Sequence, residues 1–145
     1  MTPELRPAAG AGVIRVLLAD DDPNFLESIR VLIERQPELH VVAQAPDGLR
    51  AIELADEFYP DAAVLDLHMP LLDGVSAVAR LRTDHPQLCL IALTGDPSEP
   101  LHAAVRDAGA DAVILKGDLI DSLVERLAAV QPRNEEAGSA QAAAT

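Results

Sequence analysis

The amino-acid sequence predicts an α/β protein built on a doubly wound, five-stranded parallel sheet. Short runs rich in Val, Leu and Ile alternate with segments of helical period along the 145 residues. The inner runs are apolar on both faces, which is typical of parallel strands that helices cover on both sides. Repeated alternation of strand and helix implies right-handed crossovers, which place helices on both faces of one sheet.

Five strand candidates lie between segments that favour turns or helices. They are VIRVLLA at 13–19, LHVVAQA at 39–45, AAVLDL at 62–67, LCLIALT at 88–94 and AVILK at 112–116. The second run alternates between apolar and polar positions more than the others do. We therefore expect it at an edge of the sheet.

Five helix candidates follow the five strands. They span about 23–36, 47–58, 74–83, 98–109 and 118–131. The first begins with Pro23 behind an Asp22 cap, and the second and third end shortly before Pro60 and Pro86. Gly109 is expected to end the fourth, because glycine is the residue most often found just past a helix.

The length of the chain suits one domain with one hydrophobic core, which we expect to span 13–131. Residues 1–12 and 132–145 lack periodic apolar positions, so both ends are expected to be flexible. No run reaches the length of a membrane span, and the first residues lack a signal core. We therefore expect a cytoplasmic protein without a membrane partner.

The charge balance excludes a nucleic-acid surface as the expected function. Acidic residues outnumber Lys and Arg by 24 to 11, and the formal net charge is −13. Binding a polyanion requires the opposite balance, so a basic or metal-loaded partner fits better. The single cysteine, Cys89, lies in an apolar run and is interpreted as a small buried hydrophobe.

Polar residues at the ends of the predicted strands indicate where the chemistry lies. Ligand sites of doubly wound sheets lie outside the carboxyl ends of the strands. Three carboxylates, a hydroxyl and an ammonium group meet at that edge: Asp20, Asp21, Asp66, Thr94 and Lys116. Crowded carboxylates repel one another unless a cation sits between them, and oxygen ligands suit Mg²⁺. The pattern predicts a metal-assisted phosphoryl site in which one carboxylate is the nucleophile.

Asp66 is the most informative residue of this group, because it interrupts an otherwise apolar strand. An unpaired buried carboxylate lowers the stability of a fold by roughly several kcal/mol, which favours a functional role over a structural one. Taken alone, Asp20 and Asp21 are as compatible with a helix cap or turn as with a functional site. Their position next to Asp66 at the carboxyl ends of the strands favours the functional site. Gly74, which follows Asp73, is expected to serve a turn into the third helix.

Four separated motifs carry a family resemblance. LLADDDP, VLDLHMPLLDG, ALTG and ILKG occur in the order and spacing found in the receiver domains of two-component response regulators. The resemblance covers about residues 13–130 and is strongest to the NarL-type branch. It implies a flavodoxin-like (βα)5 fold with strand order 2-1-3-4-5.

The resemblance also implies a role for each site residue. Asp66 is identified as the phosphoacceptor, Thr94 and Lys116 as contacts of the phosphoryl group, and Mg²⁺ as the cofactor. The implied metal ligands are Asp20, Asp21, Asp66 and the backbone carbonyl of His68. The implied donor is a partner histidine kinase or phosphotransfer protein. The chain would then be no enzyme beyond its own phosphoryl acceptance and hydrolysis.

Phosphorylation is expected to change protein contacts made by the face of the fourth and fifth helices, with a second copy or an output protein as partner. About fifteen residues follow the fifth helix, too few for a three-helix DNA reader, so we expect no direct DNA binding by this chain.

Two positions depart from the usual family pattern. Val113 stands where the family usually has Tyr or Phe, three residues before the lysine. Gly117 follows the lysine at a position where many members have proline. NarL-type members often lack that proline. Valine cannot copy the inward motion of an aromatic ring, so Val113 is expected to serve core packing. Switching is then expected to depend on Thr94 and the loop from Gly95 to Pro100.

Two other functions remain open for a chain of this pattern. An aspartate-dependent phosphatase would place a second Asp two residues after the nucleophile, but here Leu67 and His68 follow Asp66. A binding module that works without phosphorylation would not need the complete set of polar residues at the strand ends. Both alternatives are therefore weaker than a phosphorylated switch.

Overall fold

The computed structural model describes residues 13–69 and 71–132. Its centre is one five-stranded parallel sheet with the order β2-β1-β3-β4-β5. The strands are β1 Ile14–Ala19, β2 Leu39–Ala45, β3 Ala62–Asp66, β4 Cys89–Thr94 and β5 Ala112–Leu115. The predicted fold class, strand order and edge position of the second strand are confirmed. Of the ends expected to be flexible, 1–12 and 132–145, all residues but 132 lie outside the described residues.

Five helices connect or follow the strands. They are α1 Pro23–Glu34, α2 Gly48–Phe58, α3 Gly74–Asp84, α4 Glu99–Ala108 and α5 Leu119–Ala128. The predicted ends of α1 and α5 were too late, since these helices stop at Glu34 and Ala128. A short 3₁₀ turn, Lys116–Asp118, precedes α5, so Lys116 lies just beyond the last strand and not in it. Within the described ranges, no helix is long and apolar enough to cross a membrane.

Aspartate side chains cap the starts of α1 and α3. Asp22 accepts hydrogen bonds from the backbone N–H groups of Asn24 and Phe25, which confirms the predicted cap of α1. Asp73 caps α3 in the same way. Gly109 ends α4 with φ 126°, a backbone angle that side chains rarely allow.

Two apolar clusters cover the two faces of the sheet. One lies under α2, α3 and α4 and includes Leu65, Leu81 and Val105. The other lies under α1 and α5 and includes Ile33 and Leu123. Helices on both faces explain why the inner strands are apolar on both sides. Every strand therefore ends at the same exposed edge of a rigid core.

The reason for glycine at position 74 differs from the predicted turn. Gly74 is the first residue of α3, and its φ lies outside the left-handed region. A Cβ placed there would lie 2.4 Å from Leu67 Cα and 2.9 Å from Leu67 O. The start of α3 thus packs directly on the backbone that follows β3. The missing side chain allows this close approach, which holds the loop after Asp66 in place.

Candidate functional site

Two buried carboxylates lie side by side at the carboxyl edge of the sheet. Asp20 directly follows β1 and Asp66 ends β3, and the register pairs Ala19 with Leu65 one position earlier. Asp20 is 2% exposed and Asp66 is 4% exposed. Asp21 is exposed, and one oxygen from each of the three carboxylates lies within 4.8 Å of the others. The predicted acidic group is therefore brought together.

The carboxylate of Asp20 accepts hydrogen bonds on both oxygens. Its Oδ1 accepts from the backbone N–H of Asp22 at 2.9 Å, and its Oδ2 accepts from Lys116 Nζ at 3.2 Å. Burial raises the pKa of Asp20, and the nearby charge of Asp66 adds to that effect, against the hydrogen bond from Asp22. The folded protein therefore holds a proton on Asp20 more tightly than water would.

Lys116 supplies the positive charge nearest to these carboxylates. Its Nζ lies 3.2 Å from Asp20 Oδ2, 3.4 Å from Asp66 Oδ1 and 4.3 Å from the centroid of the Phe25 ring. Burial lowers the pKa of Lys116, but the hydrogen bond to Asp20 and the charges of both aspartates outweigh it. The net shift of that pKa is upward, so the side chain stays an ammonium group.

Thr94 reaches the same edge from β4. The register pairs Asp66 with Leu93, and Thr94 is the next residue and fully buried. Its Oγ1 accepts from the backbone N–H of Asp96 at 3.0 Å and lies 3.5 Å from His68 Nε2. The hydroxyl thus contacts the loop that follows β3 and the loop that follows β4, both next to the carboxylate of Asp66.

Two contacts of this site were not predicted from the sequence. His68 was assigned only a backbone carbonyl, yet its ring contacts Thr94. Phe25 lies in the first helix candidate, 23–36, and no local signal in the sequence distinguishes it from a core residue. Only the folded arrangement places its ring under Lys116.

The geometry defines what this edge can do chemically. Three carboxylates form an all-oxygen cluster of the kind that hard divalent cations prefer. An ammonium group beside a buried carboxylate can neutralise the charge of an oxyanion brought to that carboxylate. The arrangement suits transfer of a phosphoryl group to Asp66.

Comparison with known proteins agrees with this geometry. Residues 16–128 match the model of the response regulator receiver domain. The chain is 37% identical to the nitrate/nitrite response regulator NarP of Escherichia coli over 116 residues, covering 79% of this chain and 54% of NarP. It is 31% identical to the transcriptional regulatory protein DegU of Brevibacillus brevis over 117 residues, covering 81% of this chain and 50% of DegU.

The chain spans about half the length of these curated relatives. Among solved structures, the signal receiver domain of NarL from Mycobacterium tuberculosis superposes with a TM-score of 0.73 at 25% identity. That match covers 81% of this chain and 98% of the NarL domain. With its fold, its acidic edge and these relatives, the chain belongs to the response regulator receiver domain family, and within it to the NarL-type branch.

Proposed function

We propose that Asp66 accepts a phosphoryl group from a histidine kinase or phosphotransfer protein in a Mg²⁺-dependent reaction. One observation carries the proposal: a buried carboxylate at the end of β3 has an ammonium group at 3.4 Å and two further carboxylates within 4.8 Å. Asp20 shares both arrangements, but of the three carboxylates only Asp66 is the last residue of a strand. Asp20 is held by two hydrogen bonds, and Asp21 is exposed.

The proposed step is an in-line displacement at phosphorus. An oxygen of the ionised Asp66 carboxylate forms the new P–O bond while the P–N bond to the donor imidazole breaks, and the released imidazole nitrogen takes up a proton from water. Lys116 neutralises charge on the transferred oxygens, and the Thr94 hydroxyl lies on the neighbouring strand to contact one of them. Hydrolysis of the acyl phosphate returns Asp66 to its starting form.

The donor set fits the proposed metal. Asp20, Asp21, Asp66 and the backbone carbonyl of His68 offer only oxygen atoms, which Mg²⁺ prefers over nitrogen and sulfur. When bound, the cation would supply positive charge for the phosphoryl oxygens. Three carboxylates against the single ammonium of Lys116 leave a net negative charge that favours such a cation.

The first experiment is incubation with Mg²⁺ and acetyl phosphate, followed by intact mass measurement. We expect the gain of one phosphoryl group in the wild type and none in Asp66→Asn. Asp61→Asn is the matched control, because Asp61 is also buried but lies at the opposite end of β3. Phosphoryl gain by Asp66→Asn at the wild-type rate would reject the acceptor assignment.

The second experiment tests the metal. Asp21→Ala removes an exposed carboxylate from the cluster without opening the core, so the fold should persist. We expect weaker Mg²⁺ binding by calorimetric titration and slower phosphoryl gain, because a hard cation loses one charged ligand. An unchanged titration would contradict the metal role.

The proposed output is a change in protein contacts on the face formed by α4, β5 and α5. A groove of about 690 Å³ lies there. Val113 is half-buried at this groove and packs against the apolar cluster under α4. A second copy or an output protein is the proposed partner, and the net charge of −13 argues against direct DNA reading by these residues. We further propose residues 13–131 as the receiver domain.

A phosphorylation-independent module is the second candidate. It would bind its partner equally well with Asp66→Asn, whereas the switch requires the phosphorylated form to bind differently. Comparing partner binding or self-association with and without acetyl phosphate separates the two.

A further inference from the structure

The face of the Phe25 ring is the third neighbour of the Lys116 ammonium group, after Asp20 and Asp66. We propose that Phe25 is a positioning residue that holds Lys116 toward the acceptor carboxylate. The inference deepens the proposed function and rests on it where it concerns phosphorylation. The restraint of Lys116 is supported by the contact between its ammonium group and the Phe25 ring, independently of phosphorylation.

Apart from the ion pairs with Asp20 and Asp66, little in the backbone setting of Lys116 restrains its side chain. β5 ends at Leu115, so Lys116 lies outside the hydrogen-bonded ladder, in a short 3₁₀ turn. At the following Gly117, an added Cβ would meet no atom within 4 Å, which indicates open space. A lysine side chain has a flexible four-carbon stem and loses about 2 kcal/mol of rotamer entropy when it is fixed.

Phe25, in contrast, is well anchored. Its backbone N–H donates to Asp22 Oδ1 at 3.3 Å, and it lies in the first turn of α1 behind Pro23. Its half-buried side chain packs against the apolar cluster that includes Leu26 and Ile29. The position of the ring is therefore fixed, and its face can restrain the Lys116 ammonium group.

A ring suits this place better than another carboxylate would. A cation over an aromatic face gains about 0.5–2 kcal/mol, depending on how far it is desolvated. The contact uses no acceptor atom, so the three N–H donors of Lys116 remain available for oxygen atoms. It also adds no negative charge to an edge that already holds three carboxylates. Phe25 thus restrains Lys116 without competing for the phosphoryl group.

The test compares Phe25→Leu with Phe25→Tyr and with Ile29→Val as the matched control. Leucine keeps an apolar side chain but removes the ring face, and tyrosine restores the face. Ile29 is a buried residue of the same helix and cluster, so Ile29→Val reports small packing losses alone. The first measurement is the order parameter of Lys116 Cε by ¹³C relaxation, without Mg²⁺ or donor. The second is the rate of phosphoryl gain from acetyl phosphate by intact mass.

We expect Phe25→Leu to lower the Lys116 order parameter and slow phosphoryl gain by about three- to thirtyfold. Phe25→Tyr and Ile29→Val should stay near the wild type in both measurements. An unchanged order parameter in Phe25→Leu, or an equal loss in Ile29→Val, would overturn the inference. Absence of phosphoryl gain in the wild type would instead reject the proposed function, and the order parameter would still decide the role of Phe25.

Discussion

Replacing Gly74 by alanine tests how the start of α3 holds the loop of the acceptor carboxylate. The added Cβ would lie 2.4 Å from Leu67 Cα and 2.9 Å from Leu67 O, and both atoms belong to the backbone. Ordinary contacts of a Cβ begin near 3.4 Å, so the helix start and this backbone must separate by about 1 Å. The existing hydrogen bond from Gly74 N–H to Leu67 O, at 3.2 Å, would be strained or lost.

The magnitude follows from two opposing effects. Overpacking of this kind lowers the free energy of unfolding by about 1–3 kcal/mol. Alanine reduces the conformational freedom of the unfolded chain and favours the helix. These two effects raise the free energy of unfolding by at most about 1 kcal/mol. We therefore expect Gly74→Ala to lower the free energy of unfolding by about 1–2 kcal/mol. Since Leu67 directly follows Asp66, phosphoryl gain should slow as well.

Urea denaturation followed by far-ultraviolet circular dichroism measures this loss. Gly117→Ala is the matched control, because a Cβ at Gly117 meets no atom within 4 Å and its φ lies outside the left-handed region. The control should stay within about 0.5 kcal/mol of the wild type. Equal stability of Gly74→Ala and Gly117→Ala would refute the close-packing argument.

Four further predictions concern other parts of the molecule. The Arg82 guanidinium donates to three backbone carbonyl groups and one carboxylate, so Arg82→Ala should lower the urea-measured free energy of unfolding by about 1–3 kcal/mol, and Arg82→Lys should not restore it. Backbone and side-chain hydrogen bonds from the first turn of α3 lower the pKa of Asp73. The cap therefore stabilises the fold above the unfolded pKa, and Asp73→Ala should cost about 0.5–2 kcal/mol at pH 7; in urea denaturation this difference should disappear only as the pH falls through the lowered pKa of the folded state. Burial raises the pKa of Cys89 to about 11, so a disulfide reagent should label the folded protein at neutral pH about a hundredfold more slowly than the unfolded chain. Phosphorylation is expected to change self-association, measured by ultracentrifugation; Thr94→Ala should accept the phosphoryl group without this change. Val113→Ala should lower the free energy of unfolding by about 1–3 kcal/mol and keep the change in self-association. Loss of the self-association change in Val113→Ala at unchanged stability would make Val113 a switch residue.

Features encoded by local chemistry were predictable from the sequence. The apolar runs located all five strands, and Asp22 and Gly109 marked helix ends that the structure confirms. The convergence of Asp20 with Asp66 followed from parallel strands whose carboxyl ends meet at one edge.

Features that depend on a close approach of distant segments were not predictable. Gly74 was interpreted as a turn residue because nothing in its neighbourhood indicates that Leu67 packs against it. The contact between Phe25 and Lys116 joins residues far apart in the chain, and a phenylalanine at helical spacing indicates only burial. The ring of His68 beside Thr94 likewise depends on how two loops fold over the sheet.

The electrostatics of the acidic edge bear on whether the proposed cation would stabilise the fold. Burial and the charge of Asp66 raise the pKa of Asp20, so this group binds its proton more tightly in the folded protein than in the unfolded chain. By linkage, its ionisation favours unfolding as the pH rises above the unfolded value, and the carboxylate costs stability at neutral pH. Lys116 offsets part of this cost but is one cation beside three carboxylates. A divalent cation that binds only the folded state would offset the rest by mass action. The electrostatics of the acidic edge therefore support the proposed cation site over a contribution of these carboxylates to folding.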